Sequence, residues 1–318
     1  MPVTVRSVAV RSFAKINFGL YIGPPRADGF HDLRTVYQTI ALHDVIRVSV
    51  ARGTGIEVRC ADPRVPCDSS NTCHRMAERV MEQLDAAGRV VIEIEKKLPV
   101  QGGLGAGSSN AVATMIGLEL ALKRRLKQAA SLRLAAAVGS DLPLFVVGGT
   151  SLGVGRGEEV YPVADLPSTP LVVITPEIGV STPKAFADWD QLTQSVPSDR
   201  LVDVGRVLSA WLVSPNTGAS ALGRSRAGSQ LLDLVRTGIE NDFERVVFPQ
   251  YPELRDIKGA LERAGAVYAS LSGSGSALYG LFRNRAAAAK AVGRLRKQGL
   301  QAVATTTLTR AQYWKKIV

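Results

Sequence analysis

Residues 101–110 read QGGLGAGSSN, and the apolar run Ala111–Leu126 follows at once. Four glycines, Gly102, Gly103, Gly105 and Gly107, fall in this window. Glycine lets the backbone take positive φ and approach a ligand closely. Their place before a long helical run matters more than their number. The first N–H groups of a helix have no partner within it and carry the positive end of its dipole, so phosphate is a natural occupant. Ser108 and Ser109 are expected to cap this helix and to offer hydroxyls to a phosphate or to Mg²⁺. The window is not a Walker A loop, because no Lys-Ser/Thr follows the last glycine. Nor is it a dinucleotide fingerprint, because Lys96–Val100 separates the glycines from the strand before them. Taken alone, it also reads as a capped helix after a flexible turn.

Upstream, Val90–Glu95 (VVIEIE) alternates as a half-buried strand, and Pro99 blocks its continuation. Ala111–Leu126 is apolar on nearly every face, which predicts a helix inside a core. Val8–Arg11 and Val45–Val50 read as short strands, and Ser131–Val138 as a short helix stopped at Gly139. At Leu166–Pro170 the composition turns to proline and serine. This is the expected boundary between domains 1–166 and 167–318. Beyond it come a strand (Leu171–Thr175), a surface loop (Ser214–Gly228) and a helix (Leu254–Arg263) ending at Gly265. Strands Val267–Leu271 and Ala277–Phe282 flank an SGSGS turn. Helix Ala286–Gln298 lies between Asn284 and Gly299, and strand Gln301–Leu308 is the last expected element. The pattern predicts an α+β protein.

A chain of 318 residues fits two domains of roughly 150 residues each. With 46% hydrophobic and 21% charged residues and no low-complexity run, disorder is not expected. The longest apolar stretches, such as Leu142–Val147, are too short to span a bilayer, and Met1–Val10 lacks the apolar core of a secretory leader. Cys60, Cys67 and Cys73 have no CxxC spacing, so they read as reduced cytosolic thiols rather than as a zinc site with His74. A net charge of +11 suits either nucleic acid or small polyanions. The basic residues are scattered and aromatics make up only 6%, so charge alone leaves both open.

Pro99–Asn110 (PVQGGLGAGSSN) resembles the phosphate-binding motif of the GHMP kinases. Ser12–Leu20 (SFAKINFGL) resembles the first motif of that family, and Leu271–Ala277 (LSGSGSA) its third. All three stand in the expected order across almost the whole chain. Arg26–His31 (RADGFH), Gly139–Phe145 (GSDLPLF) and Glu240–Leu254 resemble one branch of the family. That branch phosphorylates a diphosphocytidyl sugar alcohol in non-mevalonate isoprenoid synthesis. The resemblance implies a two-domain α+β fold: an N-terminal domain like one found in a ribosomal protein, a ferredoxin-like C-terminal domain, and an active site in the cleft between them.

The resemblance also implies roles. Asp141 would take the proton of the acceptor hydroxyl, and Lys15 would stabilise the ionised group. Pro99, Val100, Gln101, Gly102, Gly103, Leu104, Gly105, Ala106, Gly107, Ser108 and Ser109 would hold ATP, with Asn71 and Lys96 near the adenosine. Asn17, Phe30, His31, Thr182 and Phe186 would face the acceptor, the two phenylalanines stacking on cytosine and His31 meeting its polar edge. Mg²⁺ is expected with the triphosphate, with Ser108 or Ser109 as the only suggested ligands. The implied partners are small molecules, not nucleic acid or membrane, for a cytoplasmic monomer or weak homodimer. Phe30 stands where the family more often has Tyr, Ala106 where it has Gly, and Ser276 where it has Pro. Ala106 therefore implies a position that does not require positive φ. Read without the resemblance, Asp141 is also a turn or helix-cap aspartate, Lys15 a surface lysine and Phe186 a core residue. The apolar flanks of Lys15 (Phe13, Ala14, Ile16, Phe18) nonetheless invite a partner for its charge. Two other functions stay open: a kinase of the same family with a different alcohol, and a basic nucleic-acid-binding protein.

Overall fold

The computed structural model describes residues 6–193 and 239–318. The expected loop Ser214–Gly228 lies outside them. The frame of the first domain is a hairpin of β1 (Arg6–Pro25) and β2 (His31–Ala51). Both strands far exceed the short β-branched runs that predict them. The extension carries polar residues, Ser12, Lys15, Asn17, Thr35, Gln38, Thr39 and Asp44, which are all buried. Each can stay in the sheet interior only because it finds a partner there. The pairing register slips between Phe13 and Lys15 and again between Asn17 and Leu20. Such irregularities re-aim side chains next to functional sites.

β2 carries β1 along one edge. Its other edge pairs with β5 (Thr150–Val154) at Thr35–Gln38 and with β4 (Arg89–Glu95) at Val45–Ala51. β3 (Ile56–Cys60) and β6 (Glu159–Pro162) complete the sheet, in the order β3-β4-β2-β5-β6. Helices α1 (Thr72–Gln83), α2 (Ala106–Leu122), α3 (Gln128–Val138) and α4 (Leu142–Val147) pack with the sheet into one core. Every residue from Ser109 to Glu119 in α2 is buried, as its uniformly apolar surface predicts. A Cβ at Gly117 would come 2.6 Å from Val48 Cγ2, so glycine here lets the helix lie against β2.

Two expectations about α2 need correction. The helix starts at Ala106 rather than Ala111 and ends at Leu122, with Lys123 in the left-handed region. Its N-cap is Gly105, at φ +69°, and no side chain caps it. Ser108 and Ser109 lie inside the first turn, so neither can act as the cap. The end of the glycine window is already helix.

The second sheet has the order β10 (Ala302–Thr306), β7 (Pro170–Ile174), β9 (Leu278–Leu281), β8 (Tyr268–Leu271), all antiparallel. In chain order this is 4-1-3-2, the ferredoxin-like arrangement. Helices α5 (Thr182–Thr193), α6 (Glu244–Gln250), α7 (Pro252–Arg263) and α8 (Arg285–Lys297) share its core. Asn284 caps α8 by accepting from Ala287 N. A third core joins the domains, setting Ala14, Ile16, Phe18 and Ile40 against Leu171, Val173, Tyr279 and Leu281. β10 is shorter than expected because Leu308 N turns to Thr39 O, 2.9 Å away in the first domain. A helix the sequence reading did not anticipate, α9 (Arg310–Lys316), then docks beside α4, with Tyr313 fully buried in the first core. Among the described residues no helix is long and apolar enough to cross a membrane.

Candidate active site

The three segments singled out in the sequence meet at one seam. From β1, Lys15 N donates to Leu104 O at 3.0 Å. From the β8–β9 turn, Ser272 Oγ donates to Gly103 O at 2.9 Å, and Ala277 N donates to Gly102 O at 3.1 Å. Gly103 sits at φ +72° with its α-face against the Ser272 carbonyl, a position that excludes any Cβ. A Cβ at Gly273 would lie 3.2 Å from Lys15 Nζ, so the turn closes over the lysine head.

Lys15 is 3% exposed. Its ammonium donates to Asn17 Oδ1 at 2.7 Å and stands 3.7 Å from Asp141 Oδ2. Burial pushes its pKa below the usual lysine value, and the charge and hydrogen bond of Asp141 partly oppose that. Asp141 occupies the N-cap position of α4, but its side chain makes no cap hydrogen bond. With a side chain 38% exposed, it turns toward the cleft. Tyr37 OH donates to Asp141 Oδ1 at 3.2 Å. Burial, reinforced by the Asp141 charge, raises this phenol well above its ordinary range. Two residues of α9 fasten the other end of α4: Tyr313 OH donates to Phe145 O at 2.7 Å, and Trp314 Nε1 to Val147 O at 3.2 Å.

A cavity of about 370 Å³ opens in front of the α2 N-terminus. Asn71, Lys96, Pro99, Val100, Gln101, Gly102, Gly103, Gly105, Ala106, Gly107 and Ser108 line it. Ala106 is free of positive φ, as its side chain implies. Leu104 and Ser109 are not in this lining. Leu104 is buried in the core between the sheets, and Ser109 Oγ is hydrogen-bonded to Ser12 Oγ at 2.8 Å. Asn71 caps α1, accepting from Cys73 N and donating to Pro66 O, so most of its hydrogen-bonding capacity is committed. Lys96 pairs with Asp44, an aspartate that sequence reading passed over. Its signal was there: a carboxylate directly before the β-branched run Val45–Val50. Among the described residues no cluster of three or more His, Cys, Asp or Glu could hold a metal ion. Of the two serines suggested as Mg²⁺ ligands, Ser108 lines the cavity and Ser109 does not.

Phe30, His31 and Phe186, expected to face the acceptor, are arranged differently from a simple base sandwich. Phe30 is 49% exposed, and the Arg156 guanidinium sits 4.9 Å from its ring centroid. Phe186 is half-buried and already stacks on His31, with centroids 4.9 Å apart and an interplanar angle of 13°. Its edge meets Phe243. His31 Nε2 lies 2.7 Å from Asp190 Oδ1. Thr182 Oγ1 is 2.6 Å from Ser274 Oγ and ties α5 to the β8–β9 turn. Asn17 is held at both ends, by Lys15 and by Thr35 Oγ1 at 2.7 Å. Tyr37, Asp190 and Arg156 join the site here without a signal in the sequence. Each is an ordinary strand, helix or turn residue until the fold brings it to the cleft.

Comparison with known proteins agrees with this architecture. The N-terminal domain model of the GHMP kinases matches residues 71–149, and the C-terminal model matches residues 220–301. The 4-diphosphocytidyl-2-C-methyl-D-erythritol kinase of Solibacter usitatus is 38% identical over 91% of this chain and 85% of its own length. The kinase of the same name from Acaryochloris marina is 35% identical, covering 89% of this chain and 90% of the relative. A crystal structure of 4-(cytidine 5'-diphospho)-2C-methyl-D-erythritol kinase superposes with a TM-score of 0.72 at 27% identity, covering 94% of this chain and 99% of that one. A homoserine kinase from Cytophaga hutchinsonii has the same fold, with a TM-score of 0.73 at 18% identity over 97% of this chain and 96% of that one.

Proposed function

The chain belongs to the GHMP kinases, in the family of 4-diphosphocytidyl-2-C-methyl-D-erythritol kinases, and from that premise we propose how its residues carry out the reaction. It is an ATP-dependent kinase. Its acceptor is the 2-hydroxyl of 4-diphosphocytidyl-2-C-methyl-D-erythritol, and the product is the 2-phosphate used in non-mevalonate isoprenoid synthesis. The observation that carries the residue roles is the Lys15–Asp141 pair at the mouth of the seam.

Phosphoryl transfer needs alignment and charge neutralisation more than covalent chemistry. Asp141 accepts the proton of the acceptor hydroxyl. Its partial exposure leaves it reachable, and Tyr37 holds Oδ1 while Oδ2 stands 3.7 Å from the Lys15 ammonium. Lys15, fixed by Asn17, sets a cation beside the carboxylate where charge develops on the oxygens of the transferring group. The triphosphate lies along Gly102–Ser108 with its phosphates at the α2 N-terminus. Mg²⁺, when bound with ATP, neutralises phosphate charge. The Ser108 hydroxyl would hold it.

Phe30 offers an exposed ring face for the cytosine, while His31, with Phe186 behind it, presents a polar edge. We also retain the division at residues 166 and 167, a cytoplasmic location, and a monomeric or weakly dimeric state. The test is a coupled ATP-consumption assay across four acceptors: the cytidyl erythritol, mevalonate, homoserine and galactose. Turnover of mevalonate or homoserine without the cytidyl substrate would overturn the acceptor assignment.

A further inference from the structure

The stretch Glu240–Glu244 (ENDFE) leads into α6, and none of its side chains takes part in the transfer described above. It nevertheless fastens two of the segments that meet at the site. On β1, Leu20 N donates to Glu240 O at 3.0 Å, Asp242 N to Leu20 O at 2.8 Å, and Ile22 N to Asp242 Oδ2 at 2.9 Å. On β8, Leu271 N donates to Glu244 Oε1 at 2.9 Å. Asn241 stands between the two and is 1% exposed. Its amide nitrogen donates to Leu271 O at 2.9 Å and to Gly273 O at 2.8 Å, while its Oδ1 accepts from Phe243 N at 3.1 Å. Both N–H groups of the amide are thus committed to carbonyls at the start of the β8–β9 turn.

Where those carbonyls point matters to Lys15. Gly273 is the turn residue nearest the lysine head, since a Cβ there would lie 3.2 Å from Lys15 Nζ. Its carbonyl is nonetheless turned onto Asn241. The carbonyl before it, Ser272 O, is taken by Gly275 N at 3.0 Å. The Lys15 ammonium has three N–H groups: Asn17 Oδ1 takes one at 2.7 Å, and Asp141 Oδ2 stands off at 3.7 Å. A buried ammonium with a donor to spare attracts any carbonyl that can turn toward it. Gly273, at φ +58° and without a Cβ, has the backbone freedom to turn.

We propose that Asn241 is a positioning residue for phosphoryl transfer: resting on the role given above to Lys15, it holds the Gly273 carbonyl off the Lys15 ammonium and so reserves that cation for the transferring group. Without this clamp, Gly273 O swings to Lys15 Nζ and competes with the phosphoryl oxygens for the same N–H groups. Lys15 then stays in place and charged, but its donors are spent on the protein. It lowers the barrier only with N–H groups that the ground state leaves uncommitted. The bonds from Ser272 Oγ to Gly103 O and from Ala277 N to Gly102 O do not involve Asn241, so the glycine loop keeps its hold on the turn.

The test is a double-mutant cycle on the full-length enzyme: wild type, Asn241→Ala, Lys15→Met and the double variant. Each is followed by kcat and by KM for ATP and for the cytidyl acceptor. Lys15→Met probes the premise alone, because wild-type kcat there removes the role of the lysine whatever Asn241 does. Asn241→Ala should lower kcat by about 10–10²-fold, with both KM values within about twofold of wild type. In the Lys15→Met background the same substitution should change kcat by less than about twofold, because no ammonium is left to capture. If Asn241→Ala does not fold, the cycle is run with Asn241→Asp, which keeps the side chain's size and the bond from Phe243 N and replaces only the donor amide. Equal losses of kcat in both backgrounds, or no loss in either, overturn the assignment. A merely structural asparagine acts the same whether or not Lys15 is present.

Discussion

Replacing Gly103 with alanine tests whether the seam between the glycine loop and the β8–β9 turn is what holds the site together. Gly103 adopts φ +72°, which costs an L-residue about 1–2 kcal/mol. Its new Cβ would overlap the Ser272 carbonyl oxygen outright and lie 3.0 Å from that of Gly275. Both obstacles are backbone, so neither can rotate away. Relief requires the turn to back off. That breaks the Ser272 Oγ bond to Gly103 O and the Ala277 N bond to Gly102 O, each contributing about 1 kcal/mol. The sum is a loss of about 3–4 kcal/mol, read by urea unfolding. The same displacement lifts Gly273 off Lys15, so kcat should fall along with stability. Gly107→Ala is the control. Gly107 is helical, and a Cβ there would meet nothing closer than Thr72 Oγ1 at 3.7 Å. It should be neutral or up to about 1 kcal/mol stabilising through helix propensity, while raising the KM for ATP because the methyl enters the cavity. A Gly103→Ala enzyme within about 1 kcal/mol of wild type, with unchanged kcat, would refute the seam argument.

Asp141→Asn should lower kcat by roughly 10²–10⁴-fold while leaving ATP binding largely intact, and wild-type kcat would sink the base assignment. Phe186→Ala should raise the KM for the cytidyl acceptor by about 3–10-fold through the loss of its stack on His31, and equal changes in both Michaelis constants would mark Phe186 as purely structural. Lys15→Met should cost at least about 10²-fold in kcat yet yield a more stable protein at neutral pH. The sign follows from linkage: the folded pKa of Lys15 is lowered, so the unfolded chain binds more protons between that lowered value and 10.5. Wild-type stability therefore rises with pH through this window, and the advantage of the methionine variant should shrink from pH 7 to 10.5 in paired urea titrations.

Much of this arrangement could be read from local chemistry. The glycines before an all-apolar helix announced a phosphate cradle, and α2 is buried as its composition demands. Asn284 and the Ala286–Gln298 run marked α8 to within a residue, because capping and periodicity are local signals. The long hairpin was not legible. Ser12, Lys15, Asn17, Thr35, Gln38 and Thr39 look like surface residues in sequence, and hydrogen bonds to one another, to Ser109 and to Leu308 O make them interior. Asp44 showed in sequence only as a carboxylate before a β-branched run, since the partners that hold it are 52 to 54 residues away. The serines were misread as caps because a glycine in the left-handed region can begin a helix with no side chain at all.

The proposed base and its cation belong to separate elements, so something must fix their separation. Lys15 rides on β1, which the sheet locks; Asp141 stands at the start of a helix of six residues, too short to hold its own orientation. The missing constraint comes from the chain's far end. Tyr313 and Trp314 bind the last carbonyls of α4, while Arg11 N on β1 donates to Ile317 O at 2.7 Å. The ring of Tyr313 lies 5.5 Å from Phe13, two residues before Lys15, and fills the space that glycine leaves at position 148. One short helix thus spans both carriers and sets their distance from behind, outside the reach of either substrate. Substitutions in α9 should then lower kcat before they affect either Michaelis constant, since they disturb the alignment of Lys15 with Asp141 while leaving the cavity walls in place.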